Sequence, residues 1–370
     1  MGQHASGHVT LSDIARTCQL SVSTVSIVLS EAPRSRHVAE ATRKRIQATA
    51  KRLGYHPDAY ARSLRRRRTQ TIGVLAYDMS DPFCMPVVGG IDEGLQPAQY
   101  FSLMVNAQTK RKLFDRHFRM LLERRAEGVI VVASWFFEET GLLADIEKNH
   151  VPIVIVGRDL TKRQITSVLV DNQAGGALVM RHLESLGHQN IAVIRGPDEM
   201  FDSAPRWEGI RRAAAEAGIR LDSRLVFQLP NLSDAKSSFE GGQRFAKQML
   251  ASGRRFSAVL AFDDLTALGV VRGLTEAGLR VPEDCSVVGF DDILPSEVAT
   301  PGITTIRQPL REMGLLASKL ILQALNQSQK DGVQEAGLHI VSPELVTRTS
   351  SAAPNGKGKQ EQDRRALTVV

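Results

Sequence analysis

Only three cysteines occur in the 370 residues, at Cys18, Cys84 and Cys285, and no two share a CxxC spacing. So few, so widely spread, exclude a disulfide framework and suit reduced, buried thiols in a cytoplasmic protein. No cluster of Cys and His has zinc-ligand spacing, so no metal is expected. Long apolar runs are missing too. Nothing approaches the roughly 18 residues of a membrane span, and the opening MGQHASGHVT lacks the apolar core of a secretion signal. Neither membrane attachment nor export is therefore expected. GxSxG and GxxxxGK[ST] are absent, and no GxGxxG follows a strand to open a helix. Nucleophile and cofactor machinery is not visible, so an enzyme is not expected and no cofactor is assigned.

What is present begins at residues 10–29, TLSDIARTCQLSVSTVSIVL, which read as two short helices joined by a tight turn. Thr10 can cap the first, with Asp13 three residues on in capping-box style, and Ile14 and Ala15 turned inward. Ser21 can start the second, which places Val22, Val25 and Leu29 on one face and Ser23, Thr24 and Ile27 opposite. Helices this short need support. Residues 40–53 supply it, with Ile46, Ala50 and Leu53 on one stripe and basic residues on the other faces. A trihelical unit with a short polar helix on a basic support is how helix-turn-helix proteins enter the major groove. A helical subdomain that contacts only protein is the plain alternative.

Charge favours nucleic acid. The first 70 residues hold thirteen lysines and arginines against four acids, a net of +9, while the whole chain carries +7. The remaining 300 residues are therefore slightly acidic, and the basic head is an electrostatic footprint for phosphate. Residues 54–70, GYHPDAYARSLRRRRTQ, read as a short helix opened by Pro57 and a basic linker. The RRRR run suits a phosphate contact or a solvated spacer equally.

From Thr71 the pattern becomes short β-branched strands alternating with helices. Strands are expected near 71–77, 100–106, 128–133, 152–157 and 167–171, then near 190–196, 224–229, 257–262 and 285–290. Helices fall between them at 110–126, 139–149, 173–186, 205–217, 239–251 and 264–277, with Gly187 and Gly218 as stops. Such alternation implies parallel sheets covered on both faces, and two series imply two similar lobes with a cleft between them.

These residues resemble the lactose-repressor (LacI/GalR) family of bacterial transcription regulators. The likeness runs through VTLSDIARTCQLSVSTVSIVL, EATRKRIQATAKRLGYHPDAYARSLRRRRTQTIGVL, DMSDPF, VDNQAGGALVMRHLESLGHQNIAVIRGP, AFDDLTALGVVRGLTEAGLRVPEDCSVVGFDD and TPGITTIRQP, roughly residues 9–348. It implies an all-α headpiece followed by an α/β core of two parallel-sheet lobes like a periplasmic binding protein. It also implies a homodimer on double-stranded operator DNA, controlled by a sugar-like small molecule. The expected organisation is a disordered stretch 1–8, headpiece 9–56, hinge and linker 57–70, core 71–350 and a disordered tail 351–370. Within the core, lobe 1 is expected at about 71–171 and 301–327, and lobe 2 at about 172–300 and 328–350. The tail has no leucine heptad, which favours a dimer over a tetramer.

By this resemblance the DNA-facing residues are Thr10, Ser21, Val22, Ser23, Thr24, Ser26 and Ile27 in the headpiece, and Tyr60, Ala61, Leu64 and Arg65 in the hinge. Val22 and Ser23 hold the base-choosing positions, and Leu64 matches a minor-groove wedge, whose unstacking cost is offset by wrapping more DNA. Ile27 stands where the family usually has arginine, and Gln19 replaces a glycine frequent in the turn. The implied effector residues are Phe83, Cys84, Arg158, Arg206, Asp263 and Asp291. Asp263 replaces a more usual asparagine, and Met200 and Asp202 form a variable wall. Nucleosides, hexoses and sugar acids all stay open, as does the direction of the response. A periplasmic sugar receptor shares the two-lobe core, but the basic head argues against it.

Overall fold

The computed structural model describes residues 9–30, 33–55, 69–123, 126–133, 151–230, 235–328 and 336–354. The chain divides into two compact units at Thr69.

The first unit packs α1 (Leu11–Cys18), α2 (Val22–Leu29) and α3 (Glu40–Leu53) around Ile14, Ala15, Cys18, Val25, Val28, Ile46 and Ala50. Thr10 and Asp13 form the expected capping box. Gln19 ends α1 in the left-handed region at φ 52°, a conformation a non-glycine residue adopts at some cost. Arg45 reaches back to donate to the Cys18 carbonyl at 3.2 Å, closing the exposed end of α1.

Among the described residues, the second unit carries two parallel sheets and a two-stranded antiparallel one. In the first, β1 (Thr71–Ala76), β2 (Phe101–Asn106), β3 (Gly128–Val132), β4 (Ile153–Val156), β5 (Thr166–Val170) and β11 (Leu338–Val341) run in the order β11-β5-β4-β3-β1-β2, every pair parallel. Strand alternation sends Ile72, Val74 and Ala76 to one face, beneath α4 (Cys84–Leu95) and α11 (Leu310–Ser328). Leu75 faces the other way, onto Phe114 and Phe118 of α5 (Arg111–Glu123).

The second sheet orders β6 (Ile191–Arg195), β7 (Val226–Gln228), β8 (Ala258–Leu260) and β9 (Ser286–Val288) as β7-β6-β8-β9, again parallel. One face is covered by α6 (Asn172–Ser185) and α7 (Ser203–Glu216), the other by α8 (Ala235–Ala251) and α9 (Asp264–Glu276). Gly187 and Gly218, at φ 90° and 70°, end α6 and α7 in the left-handed conformation that only glycine adopts without strain. A short α10 (Leu294–Val298) follows β9.

The structure corrects the expected lobe partition. β10 (Thr305–Arg307) joins the second lobe, through bridges Val288 to Thr304 and Asp291 to Arg307, and pairs antiparallel with β12 (Glu344–Val346). β11 instead closes the edge of the first sheet beside β5. Residues 301–307 therefore leave lobe 1 and residues 338–341 leave lobe 2. Hydrophobic spacing marks a strand but carries no information about which sheet it joins, and β11 is an edge strand with Leu338 and Ile340 exposed. The start of the tail is corrected as well. Ser350 lies between Gly302 and Val287 in the backbone ladder, Ser351 meets His182 at 2.9 Å, and the Ala352 carbonyl accepts from Ser286 at 3.0 Å. The expected helix at 139–149 and the residues beyond 354 lie outside the described residues.

Candidate functional site

On the headpiece, α2 presents a small outward face. Ser21 caps the helix, accepting from the Thr24 amide at 3.1 Å while the two hydroxyls sit 2.8 Å apart. Ser21, Val22 and Ser23 are exposed, and Val22 at 44% is a large apolar side chain left in solvent. Thr24 and Ile27 are half-buried. Ser26 is buried beside Val25 and Val28, so the structure withdraws it from the outward face. Thr10 spends its hydroxyl on Asp13, donating at 2.7 Å, and stays exposed. Tyr60, Ala61, Leu64 and Arg65 lie outside the described residues.

In the core, a cleft opens where the carboxyl ends of both sheets converge. Tyr77 and Asp78 follow β1, Val132 and Ala133 end β3, Met200 and Asp202 follow β6, and Phe262 and Asp263 follow β8. In each sheet the strand order reverses between those neighbours, β1 with β3 and β6 with β8. These are the switch points at which open α/β sheets bind ligands.

Five expected effector residues line this cleft: Phe83, Cys84, Arg206, Asp263 and Asp291. Arg158, half-buried after β4, does not. Arg206 projects from the first turns of α7 and is 3% exposed. Its Nε and Nη2 both donate to Asn172 Oδ1, at 3.2 and 2.8 Å, and Nη1 donates to the Phe262 carbonyl at 2.6 Å. The guanidinium lies 3.5 Å from the Phe290 ring centroid and 4.5 Å from that of Phe262. Its fork is thus held by the protein rather than offered whole to a ligand. Asn172, at the start of α6, links the arginine to Asp202 Oδ1 at 2.9 Å. Asp263 caps α9, accepting from the Thr266 amide at 2.6 Å and from Ser238 at 3.1 Å. The capping role explains a carboxylate there without reference to a ligand.

Asp291 has the strained backbone, at φ 114°. The turn is pinned by the Asp291 amide on the Ile306 carbonyl at 2.8 Å, and by Asp292, which pairs with Arg307 at 2.6 Å and with Arg348. Strain of this kind persists only where the surroundings over-determine it, and it gathers at binding sites. Gln308 donates to Asp291 Oδ1 at 2.6 Å.

Burial dominates the electrostatics. It raises Asp81 to about 6, assisted by the charges of Asp263, Asp78 and Asp202 and opposed by the Phe83 amide. Asp202 is raised by burial against the pull of Arg206, and Asp291 stands well above the carboxylate range for the same cause. Burial pushes Arg206 down while the surrounding carboxylates push it back up. The Cys84 thiol is driven up by burial, so Cys84 is a packing residue rather than a nucleophile.

Sequence reasoning missed Asp81, Asn172, Ser238 and Gln308. Asp81 was within reach, two residues before Phe83 in DMSDPF. Gln308 and Asn172 were not, because only the fold brings them against Asp291 and Arg206.

Two family models match. The model for bacterial regulatory proteins of the lacI family covers residues 10–58, and that for a periplasmic binding protein-like domain covers residues 180–351. The chain is similar to the HTH-type transcriptional repressor PurR of Aliivibrio fischeri, 33% identical over 344 residues, covering 92% of this chain and 98% of the relative. It is also similar to the structure of the Lac repressor dimer bound to operator and the anti-inducer ONPF, with 27% identity and a TM-score of 0.80, covering 94% of this chain and all of that one. The complex of the transcriptional regulator CelR with cellobiose matches at 27% identity and a TM-score of 0.68, covering 93% and 100% of the two chains. A helical, basic head followed by a two-sheet core with a cleft at both switch points therefore identifies the chain as a member of the LacI family of bacterial transcription regulators.

Proposed function

We propose that the chain represses transcription as a homodimer on operator DNA, in the cytoplasm, and that a small hydroxylated metabolite in the cleft changes its DNA affinity. The observation that carries this reading is one chain holding both a +9 head and a cleft built on Arg206. Ser21, Val22, Ser23, Thr24 and Ile27 are the proposed base-facing group, with Thr10 serving as both helix cap and phosphate neighbour. In the hinge, Tyr60, Ala61, Leu64 and Arg65 are proposed from the sequence alone. The proposed division keeps headpiece 9–56, hinge 57–70 and a core from residue 71. Cellobiose in CelR and operator in the Lac repressor support these ligand classes.

A second copy of the chain suits the apolar surface. Met85 is 53% exposed, Phe101 on edge strand β2 is 74% exposed, and Leu294 and Val298 on α10 are about as open. An exposed apolar edge strand invites pairing or cover. Phe83, Cys84, Arg206, Asp263 and Asp291 are the proposed effector group. Arg158, half-buried after β4 and outside the described lining of the cleft, stays in the proposed effector group from the sequence alone.

The test is a titration of the full chain on duplexes selected from a random library, repeated across salt and with metabolites added. Affinity should fall about 10³-fold or more between 50 and 200 mM salt, as multiple phosphate contacts require. A flat salt response would reject the headpiece as the DNA-binding element. The selected site should also lack the family's usual guanine opposite Ile27, because isoleucine reaches only a thymine methyl. Recovery of that guanine would place Ile27 away from the bases.

A further inference from the structure

The charge of the cleft points to more than a sugar. Asp78, Asp81, Asp202, Asp263 and Asp291 line it, and Arg206 is the one basic side chain among its described lining residues. That arginine satisfies itself on neutral oxygens, those of Asn172 and Phe262. Among the described residues, none of the five carboxylates has a cation within 4.0 Å; their partners are neutral. Asp78 accepts from Ser80, Asp81 from the Phe83 amide, Asp202 from Asn172, Asp263 from Thr266 and Ser238, and Asp291 from Gln308. A sixth carboxylate, Asp264, sits behind the wall on Thr305 and the Ile293 amide.

An excess of carboxylates in a site screened from water is costly without positive charge, and the strained Asp291 turn holds one of them there regardless. An anionic ligand would add to that excess. A neutral sugar would leave the buried acids to be met by protonation, the direction in which burial already pushes Asp81, Asp202 and Asp291. A protonated amine on a hydroxylated frame would neutralise the excess, while the same oxygens accept from its hydroxyls and Phe83 offers an apolar face.

Resting on the effector reading above, we propose that the cleft of this protein selects a small organic cation of the amino-sugar class and rejects sugar acids. Binding would draw Asp81 into its ionised form, releasing a proton to solvent rather than consuming one.

The test is calorimetry on the full chain with matched triples of probes, glucosamine, glucose and glucuronate, and the corresponding galactose series, with putrescine as a cation lacking hydroxyls. The amine should bind at least about tenfold tighter than the neutral sugar in one triple, and the acid should not bind. Amine affinity should rise between pH 5 and pH 7, as Asp81, raised to about 6, loses its proton while the probe keeps its own. Asp81→Asn, which keeps an acceptor for the Phe83 amide, should lower amine affinity about tenfold and neutral-sugar affinity by no more than about threefold, so that the preference for the amine shrinks. A neutral sugar or acid that binds as well as its amine overturns the proposal, as does silence from every amine. Equal binding by putrescine overturns the hydroxylated part. None of these results touches the DNA titration, so the effector reading fails separately, when no cleft ligand alters operator affinity.

Discussion

Two aspartates summarise the two units. Asp13, partly exposed on the headpiece, is lowered by hydrogen bonds from the Thr10 hydroxyl and amide. Asp81, in the cleft, is raised to about 6 by burial. The first is stabilised by ionising and the second is penalised for it. The difference runs through both sites. The headpiece works with exposed cations and short polar side chains in high dielectric, where interactions are weak singly, add across the surface and yield to salt. The cleft works with few buried charges whose partners are fixed, where each removal is felt strongly and salt matters little.

The sharpest way to break the comparison is Arg206→Met, which keeps most of the volume and removes the charge. Asp202 and Asp291 then lose the nearest opposing charge, and Asn172 and the Phe262 carbonyl lose their donor. The core should lose about 3–5 kcal/mol in urea unfolding, the scale of a buried charge set left uncompensated. Effector response should vanish, while the headpiece transition stays unchanged in calorimetry. A loss below 1 kcal/mol would mean that the carboxylates are protonated or wet, and the cleft would no longer differ in kind from the head.

How much of this was legible beforehand follows the same divide. In the headpiece, every working feature is local: a capping residue three before its acid, a left-handed stop and apolar residues at helical spacing. The sequence reading therefore located α1, α2 and α3, but it set Val22 on the face of Val25, where 44% of it stays in solvent, passed over the buried Val28, and set Ser26 among the DNA-facing residues, whereas packing draws it inside. In the core, strands β1 to β9 lay close to the expected spans because parallel strands are short apolar, β-branched runs, continuous where both faces are buried as in β3 and β5. What failed was long-range. The placement of β10 and β11, and the capture of residues 350–352 beside β9, depend on pairings between segments tens of residues apart. Arg206 and Asp291 were found from motifs, whereas Asn172 and Gln308, which hold them, were not.

A middle-sized effect sharpens the contrast by its sign. Because the folded-state value of Asp81 is raised above its unfolded value near 3.8, the folded state holds a proton that the unfolded chain has released between about pH 4 and pH 6. That group therefore penalises folding above pH 6 and does not below pH 4. Asp81→Asn should raise core stability at pH 7 by about 1–2 kcal/mol, allowing for partial solvent screening, and the gain should disappear by pH 4. His182 and His188, both lowered by burial, add an opposite slope below pH 6.5, but they are common to parent and variant and cancel in the difference. No gain at any pH would place Asp81 in contact with bulk water, and a gain independent of pH would trace the stabilisation to packing rather than to the Asp81 charge. A stabilised variant that has lost its effector would show the cleft carboxylate retained for function against stability.

The smallest effect belongs to the head, where Thr10→Ala removes the hydroxyl that accepts from the Asp13 amide at 3.4 Å and donates to Asp13 Oδ2 at 2.7 Å. The Thr10 amide keeps its bond to Asp13 Oδ2, 3.0 Å in the parent, so half of the capping box survives. The expected loss is about 1 kcal/mol, confined to the headpiece transition in calorimetry, with core melting unmoved. The pH sign is the reverse of that for Asp81. The folded Asp13 value is lowered, so its contribution is present above about pH 4 and is lost as pH falls below that. In the variant, headpiece stability should therefore fall less steeply with acid than in the parent, because the hydroxyl that favours the ionised carboxylate is gone. If the two acid slopes coincide, the Thr10 hydroxyl does not favour the ionised Asp13. The head would then owe its first turn to backbone geometry and to Ile14 and Ala15 in its core, and the electrostatic half of the contrast would rest on the cleft alone.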